Sequence, residues 1–151
     1  MKDVSEFLYT FENFLKTFYM NINPIINFKT WKGHKLRENH IKILMILDIE
    51  GEATPSFLSN VLYVQKGSLT TLIRSLVRMN LITKVFSKEN ERSYKLKLTN
   101  EGKSFVAYST NDNLASFSEL LDSLSDADMK LVIRGFNALN KCLENNSQKL
   151  M

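Results

Sequence analysis

The residues best fitted to recognising another molecule lie in one stretch, Lys66 to Arg78. Laid on a helix at ~100° per residue, Leu69, Leu72, Ile73 and Leu76 gather on one side, and Gly67, Thr70, Thr71, Arg74 and Arg78 on the other. The first set is a core anchor. The second is small and polar at its start and cationic further along, and no acid occurs from Lys66 to Lys88. Such a face suits the major groove of double-stranded DNA. Gly67, Ser68, Thr70 and Thr71 are small enough to let the backbone approach base edges. Threonine methyls can meet thymine methyls, and Arg74 can grip guanine through two parallel hydrogen bonds. Lys66 and Ser68, near the helix start, can hold a phosphate together with the free backbone donors there. An ordinary solvent-exposed helical face carries the same residue types, so the neighbouring elements must discriminate.

Those neighbours are a helix-turn before and a hairpin after. Thr54-Pro55 is a helix start, with threonine as cap and proline in the first turn. The short helix that follows carries Phe57, Leu58, Val61 and Leu62, and Tyr63-Val64-Gln65 leads into the helix at about 66–79. Two short helices joined so closely match a helix-turn-helix unit. Asn80 follows, a residue that tolerates the left-handed conformation ending many helices. The period then changes. Ile82–Phe86 is β-prone, and Tyr94, Leu96 and Leu98 alternate with Lys95 and Lys97, as in a half-buried strand. The polar link at 87–93 makes the tip of a wing. Arg92 there suits a narrow minor groove, with Lys88 on its shoulder and Lys84, Lys95 and Lys97 on the strands for phosphates. Glu91 would orient Arg92.

The ends of the chain must hold this module. Phe7, Phe11, Phe14, Phe18 and Ile22 recur at spacings of four, three, four and four, predicting an aromatic-faced helix over 4–22 that stops at Asn23-Pro24. A second helix starts near Arg37 or Glu38 and runs to Asp48, burying Ile41, Leu44, Met45 and Leu47. Thr99 caps a helix reaching about Leu124. Ser125 caps a last one with Met129, Val132, Phe136, Leu139 and Leu143 on one seam. The expected fold is mainly α (α+β): a winged helix-turn-helix lobe over 36–104, with dimerisation helices in 1–35 and 105–151, all in a single domain of 151 residues. The terminal apolar faces are too wide for the lobe to cover, which predicts a homodimer.

Charge agrees with this placement. Residues 53–104 hold nine Lys/Arg against three Asp/Glu, and the remainder eleven against thirteen. The longest apolar run, Ile43–Leu47, is far shorter than a membrane span, and the N-terminus lacks a signal-peptide core, so a cytoplasmic location is expected. No glycine-rich phosphate loop, metal motif or nucleophile–base pair is present, which argues against an enzyme. No cofactor is expected. His34 and His40 lack zinc-like spacing. Cys142 is the single cysteine, and a buried or interface thiol suits it better than a redox switch.

The pieces Leu-Ser-Asn-Val-Leu (58–62), Lys-Gly-Ser-Leu-Thr-Thr-Leu-Ile-Arg-Ser-Leu (66–76), Asn-Leu-Ile (80–82), Glu-Arg (91–92) and Lys-Leu-Thr-Asn-Glu-Gly (97–102), in that order, resemble the MarR family of bacterial winged-helix regulators. The resemblance implies a triangular dimer built by the first and last helices, two lobes reading a palindromic operator, and most often repression. It implies release by a small molecule, frequently phenolic, or by oxidation. Family DNA-contacting positions fall on Ser68, Thr70, Thr71, Arg74 and Arg92. The chain departs from the family in having Glu91-Arg92-Ser93 where Asp-Arg-Arg is frequent, Asn80 in place of a glycine, and Gln65 where a serine often caps. Family effectors commonly sit between the dimer helices and the lobe. Phe14, Phe18, Phe28, Trp31, His34 and Met45 are the candidate lining here, with Lys32 or Lys35 for a carboxylate. Packing is the commoner use of such aromatics. A winged helix used only for protein–protein interaction is the rival to DNA binding, and it gives no reason for the basic middle.

Overall fold

Helix starts and stops fall where side chains or dihedral angles can close a helix. The computed structural model describes residues 3–22, 29–87 and 93–146. The first helix, α1 (Val4–Asn21), is capped by Asp3, whose Oδ1 accepts the Glu6 N–H at 3.0 Å. Two three-residue strands, β1 (Lys29–Trp31) and β2 (His34–Leu36), precede α2 (Glu38–Glu50) and the short β3 (Glu52–Ala53). Then come α3 (Pro55–Leu62), α4 (Lys66–Arg78), β4 (Ile82–Phe86), β5 (Tyr94–Leu98), α5 (Asn100–Leu120) and α6 (Asp126–Asn146). The chain divides into two compact units, Met1–Asn113 and Leu114–Met151. This is the mainly helical winged-helix architecture expected.

The core lies in the first unit. Leu36, Ile41, Ile43, Leu44, Leu47, Leu58, Leu69, Ile73, Leu76, Leu81, Ile82, Leu96 and Phe105 are buried together. They come from α2, α3, α4, the sheet and the start of α5, so the core fixes α4 by one face. The sheet has the order β3-β5-β4, antiparallel throughout, with Ala53 opposite Leu96 and Ile82 opposite Leu98. On β5, Leu96 is buried and Lys95 and Lys97 are exposed, as the alternation requires.

The helix-turn-helix is closed by backbone geometry. After α3, Tyr63 adopts φ 52°, with Tyr63 N–H donating to Asn60 O at 3.3 Å and Val64 N–H to Ser59 O at 3.2 Å. Asn80 repeats the device after α4: its φ is 57°, Asn80 N–H donates to Val77 O at 2.9 Å and Leu81 N–H to Leu76 O at 3.0 Å. Both are Schellman closures, and after α4 the two residues joined by the longer bond, Leu76 and Leu81, are both buried.

Two expectations need correction. Residues 29–36, assigned to the N-terminal helical region up to 35, form a hairpin. Its two-residue loop is Lys32-Gly33, with φ 46° and 83°, and Trp31 faces His34 across it. Two successive positive φ values make the tight turn whose twist matches that of paired strands, and glycine supplies one without strain. The helix expected to reach about Leu124 ends at Leu120, and its start is core rather than dimer face: Phe105, Val106 and Ser109 are buried. On α3 only Leu58 is buried, and Phe57 and Val61 are exposed.

In α1 no residue is buried, although Phe7 and Phe11 stack at 5.8 Å and Phe14 and Phe18 meet at 5.8 Å. In the second unit Ser125 caps α6, accepting the Asp128 N–H at 3.1 Å, and α6 likewise has no buried residue. Cys142 is exposed on the single chain rather than buried. Among the described residues no helix is long and apolar enough to cross a membrane.

Candidate nucleic-acid interface

The two faces expected of α4 are present. Leu69, Ile73 and Leu76 are buried with Leu72 half-buried, and Lys66, Gly67, Ser68, Thr70, Thr71, Arg74 and Arg78 are all exposed. Gln65 makes no side-chain cap bond, as its identity suggested, so the first amide donors of α4 face solvent. The Thr70 hydroxyl donates to Lys66 O at 2.8 Å and the Thr71 hydroxyl to Gly67 O at 3.3 Å. Each hydroxyl proton is thereby tied back to the helix, leaving the methyl and an oxygen lone pair for an approaching surface. No atom from outside its own helical turn lies within 4 Å of where a Cβ on Gly67 would stand, so that side of its backbone is open to close approach.

The α3–α4 turn is held by Ser59, whose hydroxyl donates to Val64 O at 2.7 Å. At the α3 start, the Thr54 hydroxyl accepts the Phe57 N–H at 3.2 Å. These short-range bonds set the angle at which α4 is presented.

In the wing, Ser87 N–H donates to Ser93 O at 3.0 Å across the base of the loop. Lys88 and Arg92, the wing residues expected to meet DNA, lie outside the described residues. Of the strand lysines, Lys95 is ion-paired to Glu52, and Lys84 sits 4.5 Å from the Tyr94 ring centroid. Lys97 is exposed on β5. The Lys95 hydrogen bond and charge hold the Glu52 carboxyl below the usual range.

The candidate pocket residues do not share one cavity among the described residues: Phe14 and Phe18 meet each other on α1, and Met45 lines a cavity without them. Trp31 packs on Tyr108 at 5.0 Å and Phe105 at 5.9 Å, and its Nε1–H donates to Glu101 Oε1 at 2.7 Å. It is therefore a staple between the hairpin and α5. Lys32, expected for a ligand carboxylate, instead pairs with Glu101 at 2.8 Å. His34 is exposed on β2, and Phe28 lies outside the described residues. Met45 lines a cavity of about 540 Å³ with Ile41, Ile46, Leu62 and Tyr63. Asn113, whose Oδ1 is buried with no hydrogen-bond partner, lines it too.

The MarR family model matches residues 36–94, from the last residue of β2 to the first of β5. The match takes in the helix-turn-helix and the first strand of the wing. Over 141 residues the chain is 26% identical to the uncharacterized HTH-type transcriptional regulator YpoP of Bacillus subtilis, covering 93% of this chain and 99% of that protein. Among solved structures, FabT of Streptococcus pneumoniae in complex with DNA superposes with TM-score 0.70 at 21% identity, covering 91% of this chain and 98% of that one. A mutant of MarR from E. coli complexed with operator DNA gives 0.64 at 16% identity, covering 91% and 99%. These likenesses establish a shared fold across nearly the whole chain.

The lobe also contains polar residues that the charge map passed over. Arg37, Asn39 and His40 open α2 and line a cleft of about 700 Å³ together with Thr71 and Ser75 of α4. They precede the basic stretch at 53–104 in sequence. The one sequence signal was the position of Arg37 at a helix start.

Proposed function

We propose that the chain is a sequence-specific, double-stranded DNA-binding transcriptional regulator. One observation carries the reading: α4 is anchored by Leu69, Ile73 and Leu76 and presents an acid-free face of Gly67, Thr70, Thr71, Arg74 and Arg78. In this reading α4 lies in the major groove, with Arg74 and the two threonines on base edges and Lys66 and Ser68 on a phosphate. The wing, with Arg92 and Lys88, enters the minor groove. The relatives solved with DNA support this use of the fold.

The protein acts as a homodimer on a palindromic operator, typically as a repressor, in the cytoplasm. The dimer is supported by apolar side chains exposed on α1 (Phe7, Leu8, Phe11, Phe14) and separately on α6 (Leu131, Val132, Ile133, Leu143), which a second copy would cover. A small aromatic effector is supported by the cavity at Met45, whose volume lies in the range of small-ligand sites.

The test is a gel shift on the DNA flanking the protein's own gene, with scrambled duplex as competitor. Site-preferring binding that weakens with salt is expected. A folded dimer without site preference at low salt would overturn the regulator reading and favour an interaction module. Aromatic carboxylic acids titrated into the same assay test the effector.

A further inference from the structure

A recognition helix about 10–12 Å across fills a major groove about 12 Å wide, so the phosphate strands that wall the groove run along both flanks of the helix. Both flanks of α4 carry a polar cleft. On one, Ser56 at the start of α3 lies with Lys66 and Thr70, the usual place for a helix-turn-helix to meet the backbone. On the other, Thr71 and Ser75, one turn apart on α4, share the larger cleft with Arg37, Asn39 and His40. Thr71 belongs to both this cleft and the proposed base-reading face.

We propose that Arg37 and Asn39 form a second phosphate clamp, gripping the DNA strand opposite the one held at Lys66. The inference rests on the DNA-binding reading and assigns to it residues that lie outside both the helix-turn-helix and the wing.

The charge of Arg37 is available for this. Its side chain is exposed, and among the described residues no carboxylate lies within ion-pair distance of it. The one acid lining the cleft, Glu38, is paired with Lys42 at 2.6 Å. His40 competes for no anion: its Nδ1 accepts the Arg37 backbone N–H at 3.3 Å, which needs the neutral ring, and burial followed by the Arg37 charge lowers its pKa. The same bond holds the Arg37 backbone, which is also fixed by the buried Leu36 before it and by Ile41 N–H donating to Arg37 O at 3.1 Å. The guanidinium is therefore presented from a set position, and its removal leaves the start of α2 intact. A phosphate, with several acceptor oxygens, can take donors from Arg37, the Asn39 amide and the Ser75 hydroxyl.

The test uses the full chain and a fluorescein-labelled, mixed-sequence duplex of about 30 bp, titrated by anisotropy across roughly 50–200 mM NaCl. Arg37→Ala should weaken binding about tenfold at the lowest salt, and the slope of log K against log[salt] should fall in magnitude by about 0.9, one phosphate contact. Arg37→Lys should restore most of the slope, and Asn39→Ala should lower affinity with the slope unchanged. The loss should be equal on any duplex sequence. Wild-type affinity and slope in a folded Arg37→Ala protein would overturn the clamp and leave the DNA-binding reading intact. No duplex binding by the wild type would overturn that reading itself and the clamp with it.

Discussion

The carbonyl oxygen of Leu81 lies 2.0 Å from where a Cβ on Gly102 would stand. Leu81 follows the left-handed Asn80 that closes α4, and Gly102 is in the first turn of α5, so this approach locks the end of α4 to the start of α5. Two hydrogen bonds reinforce it: Thr99 N–H donates to Leu81 O at 3.1 Å and the Thr99 hydroxyl to Asn80 O at 2.6 Å. The obstacle is backbone and cannot swing aside. Gly102→Ala should destabilise the fold by about 1–3 kcal/mol, despite the better helix propensity of alanine. Urea unfolding measures it, and an unchanged midpoint would contradict the packing.

Gly67→Ala should separate stability from function. Nothing lies within 4 Å of a Cβ there, so in the free protein alanine should be neutral or stabilising by up to about 1 kcal/mol. If α4 approaches base edges at Gly67, the added methyl meets DNA and affinity should fall severalfold. A raised melting temperature with weaker gel-shift binding is the expected pair of results. Unchanged binding would place Gly67 away from the DNA.

Glu101 makes stability depend on pH. The hydrogen bond from Lys32, then that from Trp31, holds its carboxyl below the usual glutamate range. The folded pKa is depressed, so the contribution is complete above the unfolded value and is lost as pH falls through the folded one. Urea midpoints should decline on acidification between about pH 5 and 3, and Glu101→Gln should remove part of that decline. An identical acid limb in the variant would exclude this group as a source.

Dimerisation through α6 predicts that Val132→Asp, on an exposed part of its apolar face, leaves helix content intact and converts dimer to monomer in sedimentation. Operator affinity should then drop steeply, because two half-sites are no longer gripped together. A wild-type monomer at micromolar concentration would reject the homodimer.

Much of the lobe was readable from sequence, because its signals are short-range. The caps at Thr54 and Thr99, the stop at Asn80, the alternation in β5 and the two faces of α4 each depend on residues a few positions apart. The β1–β2 hairpin escaped because three-residue strands leave too short a pattern, and Lys32-Gly33 is a weaker turn signal than Asn-Gly. The packing partners of Trp31 (Glu101, Phe105 and Tyr108) are not legible locally, because they lie some seventy residues away.

The sequence by itself determined that residues 66–78 form a helix with one anchoring face and one cationic, acid-free face, since helical periodicity is a property of the local chain. Only the tertiary structure decided what stands beside that face. It set Arg37 and Asn39 across a cleft from Thr71 and Ser75, turned Lys95 toward Glu52, and carried Trp31 to Glu101. Those placements follow from how α2, the sheet and α5 close around one buried core, and no local pattern encodes them.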